Sequence, residues 1–393
     1  MLTLIKDNVE SFLVALVMSM NVLRFMLNIY DTNLLLYAIY VITAVVLLFK
    51  YNIGNILKYS VRIRNIYYLN ITVLFFAFVT LPLTFSMDTV STLVKFIVST
   101  VIAGLCISIP IKKIKSILFS IVFINLAYSI LLLLYPERSD TYMQGDANYL
   151  NITLTIGCAL TICLAYFLHA YIMKSSLFGM VISFSLSAFY FLILITFAAR
   201  GVLLFPPIIA LFLTTLFFRY HKFKTTIFIV IFAIGLVFVF NYFMQNASDY
   251  ITGRFLRMFE DTEDESRVYI WEKSIGAIFD RYWYAVGGGI NAFRENFGFY
   301  PHNIFIQYFG ELGFLGIFSL IYCVIYIIKE IKSLIFNINR RSESITFICC
   351  FAGLLYYFLT FNKSFSIYEA CPLQIMFVLT ISTIYQLKNT AYG

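Results

Sequence analysis

From Ser175 to Ala199 the chain runs the thickness of a bilayer without one charged residue, and runs of this kind recur from end to end. About 20 consecutive apolar residues cross the hydrocarbon core as a helix. No water is present there to satisfy backbone N–H and C=O groups, so a spanning segment must close its hydrogen bonds internally. Apolar runs fall at roughly 11–30, 33–49, 66–87, 89–109, 114–135, 149–172, 177–198, 201–218, 225–243, 302–328, 345–361 and 367–387. The expected fold is therefore all-α: a single polytopic transmembrane domain over residues 1–393 with about twelve spans. Composition agrees, since 61% of the 393 residues are hydrophobic and 12% are charged, far from a soluble domain of this length. The alternation of a β-barrel is absent.

Lysine and arginine in short loops set orientation, because positively charged loops resist translocation. With the amino terminus inside, the cytoplasmic connections carry Lys50, Lys58, Arg62 and Arg64; Lys112, Lys113 and Lys115; Lys174; Arg219, Lys222 and Lys224; and Lys329, Lys332, Arg340 and Arg341. Outer short loops carry Arg138, Arg200 and Lys363. The alternation predicts two cytoplasmic termini. It also makes the net charge of +8 a topology signal, and no basic-aromatic pattern for nucleic acid accompanies it. The first apolar run is too long for a cleaved signal peptide, and no small-residue cleavage site follows it. The seven cysteines lie within or at the edges of apolar runs, with no CxxC pair and no metal-ligand spacing, so they read as packing residues.

One outer connection is long. Residues 244–301, between spans nine and ten, form a periplasmic loop of mixed charge, and long loops of this kind are usually functional. Within it, "SRVYIWEKSIGAIF" places Val268, Ile270, Trp271, Ile275 and Ile278 on a helical stripe with Ser266 as N-cap, which predicts an amphipathic helix at the membrane surface. The acidic run Glu260, Asp261, Glu263, Asp264, Glu265 lacks the ligand alternation and central glycine of a calcium loop, so it reads as a solvated face, and no metal or other cofactor is expected.

The residues suited to chemistry face the same side. Arg200, in "TFAARGVLLF", stands at the outer junction of two spans, where a charge near hydrocarbon depth costs about 2.5–3.5 kcal/mol and marks a site by default; a snorkelling arginine is the plainer alternative. His302, one of three histidines, opens a helix whose N-terminus faces outward. Free N–H groups and the dipole there favour anions, and a neutral imidazole can take a proton from a hydroxyl. Asn303 beside it could orient a sugar or phosphate oxygen. Glu311, about two and a half turns on, looks too deep to act as the base.

Taken together, four blocks resemble the bacterial O-antigen polymerase and O-antigen ligase superfamily. They are "ERSDTYMQGDANYLN" with Arg138, Gly145 and Asn148; "AARGVLL" with Arg200 and Gly201; "SRVYIW" and "VGGGINAF" with Arg267, Trp271 and Gly287, Gly288 and Gly289; and "HNIFIQYFGELGFLG" with His302, Asn303, Glu311, Gly313 and Gly316. The likeness spans about residues 135–320, while the first four spans match only in being spans. Ala199 stands where that family often has Ser, and Ala147 where Pro is frequent; neither changes a charged group.

The resemblance implies a metal-independent glycosyltransferase of the bacterial cytoplasmic (inner) membrane, acting on undecaprenyl-diphosphate-linked oligosaccharide at the periplasmic face. A chain-length regulator and a flippase would be its partners, alongside membrane lipid. It also implies roles. His302 is the base, and Arg200 and Arg267 hold the diphosphate, since guanidinium forks bind phosphate oxygens bidentately and stay charged. Arg138, Asn148, Asn303, Trp271, Gly288 and Gly289 contact substrate. Polymerase is favoured over ligase because the loop is modest and no accessory domain is attached. Two other classes remain. A lipid-linked oligosaccharide flippase should show two related halves and charges near the midplane, yet no internal repeat is evident and Arg24 and Lys95 are the main span charges. A structural membrane subunit would tolerate replacement of the outer arginines.

Overall fold

A computed structural model describes residues 2–20, 22, 25, 33–51, 86–135, 149–196, 200–218, 220–246, 266–335, 344–363, 366 and 370–389. These residues form α-helices with one short 3₁₀ turn, Cys106–Ser108, and the described chain holds no strand. In order the helices are α1 (Leu2–Met18), α2 (Asn33–Lys50), α3 (Met87–Leu105), α4 (Ile111–Leu134), α5 (Tyr149–Met173), α6 (Leu177–Thr196), α7 (Arg200–Phe218), α8 (Lys222–Asn246), α9 (Ser266–Asp280), α10 (Trp283–Val286), α11 (Ala292–Phe297), α12 (Ile304–Ile335), α13 (Ser344–Phe361) and α14 (Cys371–Asn389). Seven of the described helices are long and apolar enough to cross a membrane, so the protein is an all-α, multi-pass membrane protein. The third expected span, 66–87, lies outside the described residues apart from its last two positions.

Apolar side chains all round a helix leave it nothing to show to water, so it sits inside or against lipid. α5 is such a helix, enclosed by α4, α6, α7 and α13. α6 and α8 show rows of exposed Leu, Ile, Val and Phe, the surface expected against hydrocarbon. All seven cysteines are unpaired thiols, and six of them are fully packed.

The helix ends sort into two sets. At one end the Glu10 carboxylate is sealed from solvent and takes Lys50 Nζ at 2.6 Å and Lys113 Nζ at 3.5 Å, tying α1, α2 and α4 together. Gln386 accepts from Ile111 N and donates to Ile109 O, Lys388 meets Glu330 at 2.6 Å, and Lys224 Nζ donates to Ile172 O at 2.6 Å. The Lys-rich connections thus gather at one end, together with the start of α1 and the finish of α14. A buried charge stripped of its partners is costly, by about 3 kcal/mol or more. The double variant Lys50→Ala, Lys113→Ala is therefore expected to melt well below wild type in detergent, and Glu10→Gln added to it should recover much of the loss.

At the opposite end, α9, α10 and α11 lie across the bundle. Ser86, the N-cap of α3, accepts from Thr89 N at 3.1 Å and donates to Glu295 at 2.8 Å. Asn291 Nδ2 reaches Thr92 at 3.1 Å. α9 is amphipathic, and its inward face follows the predicted stripe in part, at Ile278 and the half-buried Ile270 and Trp271. Ser274, Ala277 and Ile278 are buried, whereas Val268 and Ile275 are exposed; Ser266 is the first helical residue instead of the cap.

Candidate active site

His302 stands where this loop layer meets α12, half-buried and in the left-handed region with φ 52°. A residue with a Cβ is disfavoured there, so its neighbours must hold it. Two do. On one side the Trp271 indole N–H donates to the Pro301 carbonyl at 2.8 Å, pinning the peptide that enters His302 to α9. On the other, Asn303 Oδ1 accepts from Phe305 N at 3.0 Å and Ile306 N at 3.2 Å, the geometry of an N-cap.

These contacts give residues expected to meet substrate a structural task as well. The Asn303 oxygen is committed to the helix, and with it two of the N–H groups expected to attract an anion. Trp271 holds backbone through its indole nitrogen. The N–H groups of Gly288 and Gly289 donate to Gly310 O at 2.8 Å and Glu311 O at 3.1 Å, so neither is available to substrate.

That last pairing has a cause in the sequence. α12, expected as one continuous span, breaks at Gly313, where φ is 64° and ψ −159°. A break strands helix carbonyls, and in a membrane each must find another donor. The Gly-rich turn supplies them by laying its backbone directly on the break. A Cβ on Gly287 would stand 2.2 Å from Glu311 O, and one on Gly313 would stand 2.7 Å from Gly287 N. Positive φ at Gly287 (89°) adds to the requirement for glycine. The two glycine motifs are therefore one joint that fixes the first half of α12 under the loop layer. Gly287→Ala, strained and clashing, is expected to cost about 3 kcal/mol or more and to lower the melting temperature while leaving every polar side chain in place.

Below His302 a polar row descends the first half of α12. Asn303, Gln307 and Glu311 share one face at i, i+4 and i+8. Gln307 Nε2 lies 3.4 Å from Glu311 Oε1 and 3.1 Å from Ser366 Oγ, all of them buried. Glu311 is sealed from solvent. The finish of α13 meets the start of α12 through Phe358 and Phe305, with ring centroids 6.0 Å apart. It also meets the start of α7, since Lys363 Cδ is 3.5 Å from where a Cβ on Gly201 would stand. α13 thus joins the helix that begins at Arg200 to the helix that follows His302, and brings a lysine with it.

Arg200 is the first residue of α7, and Arg267 lies one turn before Trp271 on the same face of α9; the side chains of both lie outside the described residues. Arg138, Asn148 and the acidic run 260–265 also lie outside them. The other two histidines sit at the opposite end. His169 Nε2 pairs with Ser344 Oγ at 2.9 Å. Partial desolvation and the nearby Lys224 push the His221 imidazole below its ordinary pKa.

Sequence reasoning passed over Gln307, Ser366 and Lys363. The first was detectable, because two polar residues four apart in an apolar helix share a face. The other two are placed by a contact 59 residues away along the chain and by packing against Gly201, which no local pattern encodes.

Residues 184–321 match the family described as O-antigen ligase. No curated protein matches the chain. The matched segment runs from α6 to the middle of α12, and so holds Arg200, α9, the glycine joint and His302 in one stretch. Over that segment, about a third of the chain, the protein is similar to the O-antigen ligase family, as the four sequence blocks led one to expect.

Proposed function

We propose that the protein transfers glycan from an undecaprenyl-diphosphate carrier at the periplasmic face, extending a lipid-linked repeat unit as an O-antigen or related polysaccharide polymerase. The observation that supports it best is the lip of α12. There a histidine is held in a strained conformation by contacts to both of its neighbours, and the end of α13 links its helix to the one that starts at Arg200.

In this scheme an acceptor sugar hydroxyl attacks the anomeric carbon of the donor. Its proton passes to the His302 imidazole as the new C–O bond forms. The bond from anomeric carbon to diphosphate breaks, and the electron pair leaves with the undecaprenyl diphosphate. That developing charge needs fixed cations. Because the Phe305 and Ile306 N–H groups are taken by the Asn303 side chain and those of Gly288 and Gly289 by carbonyls of α12, side chains are the better source: Arg200 and Arg267, with Lys363 as a third and Arg138 as a further candidate. The scheme calls for no metal. The carrier's hydrocarbon would lie in lipid along the exposed apolar faces. The end that gathers Lys50, Lys113 and Lys388 is then cytoplasmic, with both termini, by the positive-inside rule. A flippase would deliver the lipid-linked repeat to this face, and a chain-length regulator would act on the growing product.

Deleting the gene in its host tests the assignment. Surface glycolipid should collapse on a gel to core plus a single repeat, with undecaprenyl-linked repeats accumulating. Bare core with long glycans still on the carrier would instead show a ligase, and an unchanged ladder would refute transfer.

A further inference from the structure

The exposed side of α9–α11 carries a cluster that the transfer scheme does not use. Lys273 Nζ sits 5.7 Å from the Tyr269 ring centroid, 5.6 Å from Phe297 and 5.5 Å from Phe299. The Arg281 guanidinium lies 4.8 Å from Phe297 and 5.5 Å from Trp283, and it donates to Asn296. Arg294 lies over Tyr300 at 5.7 Å and donates to its hydroxyl. Phe297 and Phe299 are themselves stacked. Cations this close to ring faces are attracted by the ring quadrupole, and the contact orders an otherwise mobile side chain.

Two properties of the cluster point to a ligand. Among the described residues none of Lys273, Arg281 and Arg294 is ion-paired with a carboxylate, so their charge is positioned without being neutralised. Tyr269 and Tyr282 present bare ring surface, 63% and 71% exposed. Apolar C–H faces of a sugar ring lie well on such surface, while fixed ammonium and guanidinium groups read carboxylates through charge-assisted hydrogen bonds. A lipid headgroup layer fits less well. Glu272, Asp280 and Glu295 are exposed beside the three bases and, among the described residues, form no ion pair with them, so a continuous anionic surface meets like charge next to each base, which a glycan with spaced carboxylates avoids. Acids and amides among the rings also oppose immersion in hydrocarbon. The patch runs through Phe299 and Tyr300 directly into Pro301 and His302.

We propose that this surface is a binding platform for an acidic glycan, so that the repeat unit handled here carries carboxylate groups. The proposal takes its substrate class from the transfer reading, but its test requires no turnover. The full-length protein, in discs of uncharged lipid, would be titrated with oligogalacturonate and with a neutral maltooligosaccharide of equal length. The acidic chain is expected to bind at least about tenfold more tightly, with an advantage that shrinks as salt screens it. The double variant Lys273→Ala, Arg281→Ala should lose about tenfold for the acidic chain alone. His302→Ala should bind as wild type, so loss of turnover and loss of binding are scored separately. Equal binding of the two glycans, or an unaffected double variant, would overturn the proposal. So would displacement of oligogalacturonate by phosphatidylglycerol vesicles, which would make the patch a headgroup contact.

Discussion

Replacing His302 with alanine is expected to lower glycan transfer by about 10² to 10⁴-fold, the range for loss of a positioned general base, with normal insertion and yield. The structure allows a sharper version. His302 occupies φ 52°, where a side chain costs roughly 1–2 kcal/mol and glycine costs nothing. His302→Gly should therefore be at least as thermostable as wild type and as inactive as the alanine variant. A residue kept for structure would show the reverse, with stability and activity falling together. Trp271→Phe supplies the companion test. It keeps the ring but removes the donor to Pro301 O, so kcat should fall about tenfold or more while KM stays near its wild-type value. Addition of imidazole should restore part of the His302→Gly activity and none of the Trp271→Phe loss.

The second large effect concerns the cations. Arg200→Ala and Arg267→Ala should each reduce transfer by about 10²–10³-fold, as expected when a fixed group facing developing charge is removed. Lysine at either position keeps the charge but loses the planar fork, and is expected to recover only part of the rate. Lys363→Ala should cost less, about tenfold, because an ammonium is a single-point contact. Wild-type rates in both arginine variants would show that the diphosphate is held elsewhere. Assays with a short-chain diphosphate donor separate binding from chemistry, since these variants should lose kcat at saturating donor.

Much of this arrangement is legible in the sequence. The spans are set by runs of uncharged residues, and the loop polarity by Lys50, Lys113 and their neighbours, whose gathering at one end follows from a feature as local as loop composition. His302 was conspicuous as a histidine at the start of an apolar helix. What the chain conceals is what its polar groups are committed to. Asn303 before an apolar helix is a cap signal, yet beside a histidine it reads as a ligand contact, and only the Phe305 and Ile306 bonds show its oxygen to be a cap. The three glycines 287–289 read as a Gly-rich turn of the family signature, with Gly288 and Gly289 placed against substrate by the resemblance. Their partners are carbonyls freed by a break at Gly313, more than twenty residues later, and nothing near either segment announces the other. Val268 and Ile275 fitted a helical stripe by spacing but face outward, because the layer beneath α9 is met by Ser274, Ala277 and Ile278. In a membrane protein, exposed apolar residues are ordinary, so apolarity alone does not say which face is inside.

The most direct measurement of the central claim uses purified protein in proteoliposomes with a synthetic undecaprenyl-diphosphate oligosaccharide. Lipid-linked product and released undecaprenyl diphosphate would be followed together by mass spectrometry. The account predicts products lengthened by whole repeat units, with one undecaprenyl diphosphate released per bond formed, and neither signal from the His302→Gly protein. Transfer at the wild-type rate by that variant, or movement of the intact donor across the bilayer with no new glycosidic bond, would contradict it.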